Sequence, residues 1–291
     1  MAFLILQQIT DALPGMTPIN RKIASYILEH GQSIGFSSIY AVGKTIGVSN
    51  ATLIRFARSI GLKGYADLKH ALQDEIKHKL SPYEKIALSD LDSLPHETQL
   101  HKMLQNEVNN LRKTLDRQSL EALERIVSGI CGADRVYISG FGVSRHLAGL
   151  FGDSLLGTLD KKVSVISGSV SDYVPTLKAL GPKDIVVLLT FPPYSGEVLH
   201  VASVARERGC KFFLFTDSVR CPVYPFADTV VTCENNSLLL SNSFVGLVAI
   251  MQLVLNMVCL HDKKAAMKNR HSMMELETQG YEMIGRLEHE T

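Results

Sequence analysis

The stretch Ser38-Ile39-Tyr40-Ala41-Val42-Gly43-Lys44-Thr45-Ile46-Gly47-Val48-Ser49-Asn50-Ala51-Thr52-Leu53-Ile54-Arg55-Phe56-Ala57-Arg58-Ser59-Ile60-Gly61 holds two short helical patterns that meet at Gly47. Ile39, Val42 and Ile46 recur at helical spacing and give the first helix a buried stripe, while Gly43, without a side chain, lets the second helix cross close by. Ser49 suits an N-cap whose hydroxyl accepts from a free backbone N–H. Leu53, Phe56, Ala57 and Ile60 then form the inward face of a helix that Gly61 ends. The outward face is left with Asn50, Thr52, Arg55 and Arg58, which is how the second helix of a helix-turn-helix meets DNA. Asn50 and Thr52, near its start, are expected to contact bases or phosphates, with Arg55 reaching deeper into the groove. Lys44, Arg58 and Lys63 are expected on phosphates. Taken singly, each of these is an ordinary solvated surface residue; their joint placement on one face carries the expectation.

The same segment resembles the N-terminal domain of RpiR-type bacterial regulators, whose pattern reads Ser-Ile, then Gly-Val-Ser-x-x-Thr, Arg-Phe, Gly-hydrophobic and Gly-Tyr/Phe. Ser38-Ile39, Gly47-Val48-Ser49, Thr52, Arg55-Phe56, Gly61-Leu62 and Gly64-Tyr65 match it. The chain departs at Gly43, where alanine is commoner, a change expected to cost a little helix propensity without touching a contact.

Working outward, helices are predicted over Phe3–Leu13, Thr17–His30 and Tyr65–Lys77, completing an all-helical domain over residues 1–79 with no hairpin wing. The formal net charge of +1 hides an asymmetry. Residues 1–80 hold nine Lys and Arg against five Asp and Glu, while the remainder holds 21 against 24, so the basic end coincides with the predicted DNA-binding end. Leu80–Pro95 reads as a linker broken by Pro82 and Pro95. Leu100, Leu104, Val108, Leu111 and Leu115 then make one apolar helical stripe, suited to packing on the second domain or on a partner subunit, so residues 80–115 are taken as linker and lead-in helix.

From Arg135 the rhythm changes. Arg135–Ser139, Val163–Ile166, Asp184–Phe191, Lys211–Asp217 and Thr229–Cys233 are predicted strands separated by helical stretches. They give a doubly wound, five-stranded parallel α/β domain over residues 116–262, followed by a helical tail over 263–291. In such sheets a ligand sits beyond the carboxyl ends of strands where the winding reverses, so the loops 140–144 and 190–197 matter most. The first turn places Ser144 near a helix start, where free N–H groups favour an anion, and Arg145 stands beside it. Ser167 and Ser169 follow the second strand; they could face the crevice, although a Ser-Gly-Ser turn is ordinary loop chemistry.

Residues from about 120 to 260 resemble a sugar isomerase (SIS) domain, the sugar-phosphate-binding fold joined to this helix-turn-helix in RpiR-type regulators. Gly140, Gly142 and Ser144 match its first loop and Asp184-Ile185-Val186-Val187 its third strand. The resemblance implies a Ser-x-Ser-Gly-x-Thr phosphate loop, where this chain has Thr190, Phe191, Pro192, Pro193, Tyr194 and Ser195. The outer hydroxyls of Thr190 and Ser195 survive. The two prolines remove two backbone donors, so weaker anion binding is expected.

Five cysteines without Cys-x-x-Cys spacing indicate neither a zinc site nor a disulfide framework, and a reducing cytoplasm is the simplest compartment. No metal or cofactor is expected, and no catalytic residue is assigned; Glu197 is expected to complement the first turn of its helix. The apolar run Phe244–Leu260 is too short for a membrane span and is expected in a core or, preferably, an oligomer contact. The expectation is a transcriptional regulator, a homodimer or homotetramer, bound to double-stranded operator DNA and to a small-molecule effector, away from the membrane. The rivals are a sugar-phosphate isomerase-like enzyme with an attached helical domain, and a constitutive DNA-binding or structural protein whose SIS domain only oligomerises.

Overall fold

The computed structural model describes residues 5–77 and 81–289, and its contacts divide into one unit of residues 1–90 with 238–240 and another of 91–237 with 241–291. Phe3 and Leu4 of the predicted opening helix, the junction at 79–80 and the last two residues of the tail lie outside the described residues.

The first unit is helical. α1 (Ile5–Ala12), α2 (Pro18–Phe36), α3 (Ile39–Ile46), α4 (Asn50–Ser59) and α5 (Tyr65–Lys77) close on a core that includes Ile9, Ile23, Ile27, Leu53, Phe56 and Leu68. Thr17 caps α2 through Asn20 N–H, and Pro18 begins it, as a residue with fixed φ and no N–H can at a first turn. The helix runs past its predicted end at His30, whose non-helical φ of −121° kinks the chain there before six further residues continue the helix. The predicted linker also holds structure. α6 (Pro82–Leu88) starts at a capping box in which Ser81 Oγ accepts from Glu84 N–H and Ser81 N–H donates to Glu84 Oε2. The prolines and serine that signal a break also spell Ser-Pro-x-Glu, a helix start.

The second unit is a five-stranded parallel sheet of order β2-β1-β3-β4-β5, built from β1 (Arg135–Gly140), β2 (Lys162–Ile166), β3 (Ile185–Leu189), β4 (Lys211–Thr216) and β5 (Thr229–Thr232). The first and third strands pair side by side, with Val136 opposite Ile185 and Gly140 opposite Leu189, so the winding reverses between them. Alternate residues feed two cores. Val136, Ile138, Val187 and Phe215 face α8 (Leu120–Gly132), α9 (Ser144–Leu156) and α12 (Val245–His261). Tyr137, Val186, Leu188 and Leu214 face α10 (Val170–Lys178) and α11 (Glu197–Glu207). β3 is buried at every position, as a central parallel strand covered on both faces must be.

Two helices expected in a core or at a partner subunit differ in which side they turn inward. The apolar α12 buries Leu247, Ile250, Met251, Val254, Leu255 and Val258 in its own domain's core, where it packs with α7, α8 and α9. α7 (His96–Asp116) packs against α12, but the side it turns inward is Asn106, Asn110 and Thr114, and its leucine stripe faces outward. Hydrogen bonds fix that orientation. Asn106 and Asn110 both donate to the Asn236 carbonyl, Glu234 N–H donates to Thr114 Oγ1 at 2.8 Å, and Glu107 bonds the Ser243 hydroxyl. α12 approaches so closely that a Cβ on Gly246 would collide with Thr114. The tail forms α13 (Lys263–His289), bent by 104° from α12; among the described residues no single helix is long and apolar enough to cross a membrane.

Candidate functional site

Two places combine exposed polar groups with a defined scaffold, one in each unit. In the first, Ser38 caps α3 through Ala41 N–H, and Gly47 ends it with φ +76°, a left-handed conformation that glycine adopts without strain. Gly47 N–H and Val48 N–H both donate to the Gly43 carbonyl, closing the turn. A Cβ at Gly43 would lie 2.8 Å from the Val48 carbonyl oxygen, so the glycine answers a contact as well as a propensity, and the expectation of an untouched contact is corrected.

Ser49 then starts α4, its hydroxyl accepting from Thr52 N–H and sharing a 2.9 Å hydrogen bond with Thr52 Oγ1. Arg55 Nη2 donates to the same Thr52 oxygen at 3.2 Å, so serine, threonine and arginine form one chain of hydrogen bonds along the exposed face. Lys44, Ser49, Asn50, Arg55, Arg58 and Lys63 are exposed and Thr52 is half-buried. Arg58 Nε turns to the Lys63 carbonyl, and the Asn50 amide oxygen leans toward Gly43. Lys22 on α2 is the residue that sequence reading missed: its ammonium comes within 3.8 Å of where a Gly47 Cβ would stand. Nothing local in the sequence signals that neighbour, because α2 and the turn meet only in the folded domain.

In the second unit, the loops 140–144 and 190–196 leave adjacent strands β1 and β3. Gly140 is enforced, since a Cβ there would lie 2.6 Å from the Ser144 carbonyl oxygen, and Gly142 takes φ +56°. Ser144 is buried and begins α9, which has no side-chain cap and no acidic residue in its first turn. At that helix start Ser144 N–H donates to the Phe141 carbonyl and His146 N–H to the Val143 carbonyl, so part of its N–H capacity is already used. Arg145 is exposed, its Nε directed to His146. Ser167 is half-buried and Ser169 exposed; both N–H and hydroxyl of Ser169 donate to Asp172 Oδ2 at 2.7 Å, so Ser169 serves to start α10, and the Asp172 carboxyl is held below its usual range.

The loop after β3 is occupied by the chain itself. Thr190 is buried, and its N–H continues the ladder to the Phe215 carbonyl. The Pro192–Pro193 bond is cis, and Asn242 donates to the Pro192 carbonyl. Tyr194 donates to Asp217 Oδ1, and Thr216 and Ser218 hydroxyls also bond that carboxylate. Burial, then this bond, raises the Tyr194 phenol far above its ordinary range, so it remains a donor. The Ser195 hydroxyl is buried and forms no hydrogen bond of ordinary geometry. Glu197 is held below the usual carboxylate range chiefly by its own backbone N–H, with a weaker contribution from the Ser195 hydroxyl. In the same core as Tyr194, Tyr173 bonds His200 Nδ1 at 3.0 Å and packs edge-on against Phe141. Asp217, Asn242 and Tyr173 were not singled out by sequence, since each meets its loop from a distant element. Among the described residues no group of His, Cys, Asp and Glu is arranged to hold a metal ion.

Two family models match the chain: a helix-turn-helix domain of the rpiR family over residues 3–79, and a SIS domain over residues 129–256. An uncharacterised HTH-type transcriptional regulator of Haemophilus influenzae is 26% identical over 257 residues, covering 87% of this chain and 88% of that protein. The sugar isomerase domain of an RpiR transcription factor from Sphaerobacter thermophilus is 28% identical with a TM-score of 0.57, covering 60% of this chain and 97% of that one. The NanR protein of Vibrio vulnificus, solved in complex with ManNAc-6P, shares the fold at 19% identity and a TM-score of 0.57, over 94% of this chain and 97% of its own.

Proposed function

The chain belongs to the rpiR family of helix-turn-helix transcriptional regulators that carry a SIS domain, and from that premise we propose that it senses a small metabolite in the SIS crevice and changes its operator affinity in response. A ligand alters DNA affinity only if it binds the two states of the protein unequally, so the effector must favour one arrangement of paired DNA-binding domains over another. Pairing is part of the proposal because one recognition helix reads few bases, whereas a two-fold pair reads an inverted repeat.

The recognition face uses the Ser49–Thr52–Arg55 hydrogen-bond chain, which holds the guanidinium over the helix start where base edges are met. Asn50 joins it at the bases, and Lys44, Arg58 and Lys63 take phosphates. The effector is bound by Ser144, Thr190 and Ser195, with Gly140 and Gly142 bringing the backbone close, Arg145 supplying charge at the rim and Ser167 at the second strand.

One observation carries the effector class: the loop after β3 offers two prolines where a phosphate loop needs donors, and its neighbouring polar groups are already bonded to Asp217 and Asn242. The Ser144 and Ser195 hydroxyls, beside the uncapped start of α9, are what remains for a ligand. They suit a polyol, an acetamido sugar or a carboxylate better than a phosphate ester. Calorimetric titration of the full chain with ManNAc-6P, the unphosphorylated sugar and matched sugar acids tests this, repeated with Ser144→Ala. The expected result is weak or absent preference for the phosphate; a preference of a hundredfold or more for the phosphorylated sugar, lost in Ser144→Ala, would show that the remaining groups suffice and overturn it.

A further inference from the structure

The outward stripe of α7 is an exposed apolar face of the second unit that neither the recognition face nor the effector crevice uses. Leu100, Leu104, Val108 and Leu115 are 58%, 57%, 55% and 46% exposed, and Met103 lies beside them. The helix cannot rotate to hide them. Asn106 and Asn110 on the Asn236 carbonyl, Asn236 on Asn106 Oδ1 at 2.7 Å, Thr114 on Glu234 N–H, Gln118 on the Thr232 carbonyl and Arg117 on the Glu234 carboxylate at 2.9 Å fix the polar side inward. Turning the leucines in would strip those partners from buried amides and a hydroxyl and leave them unsatisfied away from water.

We propose that this stripe is the surface through which two copies of the chain pair, as antiparallel α7 helices about a two-fold axis near Val108. Two features select a second copy as the occupant. First, the stripe is nearly its own reverse: set antiparallel about a point between Val108 and Leu111, Leu104 faces the other copy's Leu115 and Val108 faces its Leu111. A two-fold interface requires this, because each residue must find its partner on an identical surface. Second, the area fits. The exposed stripe amounts to roughly 500 Å² of apolar surface, which with its flanks approaches the ~800 Å² per partner of a stable pair. α12, the more apolar helix by sequence, turns most of its apolar side chains into its own core and leaves Val245, Val248 and Leu260 exposed.

This inference rests on the proposed pairing and says which surface makes it. The test is the mass of the full chain at micromolar concentration, by sedimentation and light scattering, for wild type and for the double variant Leu104→Glu, Val108→Glu. Circular dichroism checks that the variant is folded; its changed residues are exposed. The expected result is two chains for wild type and one for the variant. In parallel, Val108→Cys treated with a short bismaleimide should give a covalent dimer well above the wild-type background from the half-buried Cys131 and Cys259. A variant that stays dimeric, or a Val108→Cys chain that fails to cross-link while remaining dimeric, overturns the α7 surface and leaves pairing intact. A monomeric wild type overturns pairing itself.

Discussion

The recognition helix α4 and the loop 190–196 were both marked by sequence as places where polar groups await a ligand, and they differ in what the fold has done with those groups. On α4 the side chains bond one another along an exposed face, Ser49 to Thr52 to Arg55, and their remaining donors point to solvent. In the loop the chain has supplied its own partners, Asn242 to the Pro192 carbonyl and Asp217 to the Tyr194 hydroxyl. Two prolines have withdrawn two more donors. A surface evolved to meet an outside partner keeps its hydrogen-bond capacity unspent. A loop whose capacity is spent internally contributes shape and rigidity, and leaves recognition to its neighbours, here the hydroxyls of Ser144 and Ser195.

The largest effect is expected on the open side of this contrast. Arg55→Ala should lower affinity for the operator by the ~1–3 kcal/mol of a lost base contact, about 5- to 150-fold, while binding to unrelated DNA stays nearly level. Lys63→Ala should weaken binding to all sequences alike and flatten the salt dependence by about one phosphate's share. Fluorescence anisotropy across a salt series separates the two, and equal losses on operator and unrelated DNA for Arg55→Ala would break the assignment.

Next comes the scaffold that presents α4. Gly43→Ala gains up to ~1 kcal/mol of helix propensity but presses a methyl group against the Val48 carbonyl, an overpacking cost of about 1–3 kcal/mol. Urea unfolding of the full chain should show a net loss of stability; a net gain would mean that the turn yields freely.

The smallest effect is expected on the closed side. Tyr194→Phe removes one of three hydroxyl donors to Asp217 and should cost about 0.5–1.5 kcal/mol, read as a melting temperature lower by a few degrees. It should leave DNA affinity unchanged when no effector is present. An altered operator affinity without effector would mean that this loop is coupled to the DNA-binding state and is more than rigid filling.

The same contrast explains what was legible in the sequence. The helix-turn-helix is local: cap, glycine turn and outward side chains lie within 24 residues, and spacing alone places them. The five strands were legible too, since central parallel strands are short apolar runs between helical patterns. What spacing could not place were contacts between distant elements: Lys22 over the Gly47 turn, Asp217 under Tyr194, and the polar inner face of α7. The last is instructive. Leu100, Leu104, Val108, Leu111 and Leu115 announce an apolar face correctly, but which face of a helix its own domain takes depends on what stands opposite, here the Glu234 N–H and Asn236 carbonyl of the chain leaving β5. Gly43 was underrated for the same reason, because its close neighbour Val48 lies across the turn.

The central claim is that a pair of these chains reads DNA through α4. Selection by the full-length protein from a pool of randomised duplex DNA tests it directly. The account predicts enrichment of an inverted repeat whose half-sites are centred about one or more helical turns apart, and no enrichment by Arg55→Ala under the same salt. Failure of the wild-type chain to enrich any sequence, or recovery of the same repeat by Arg55→Ala, would contradict it.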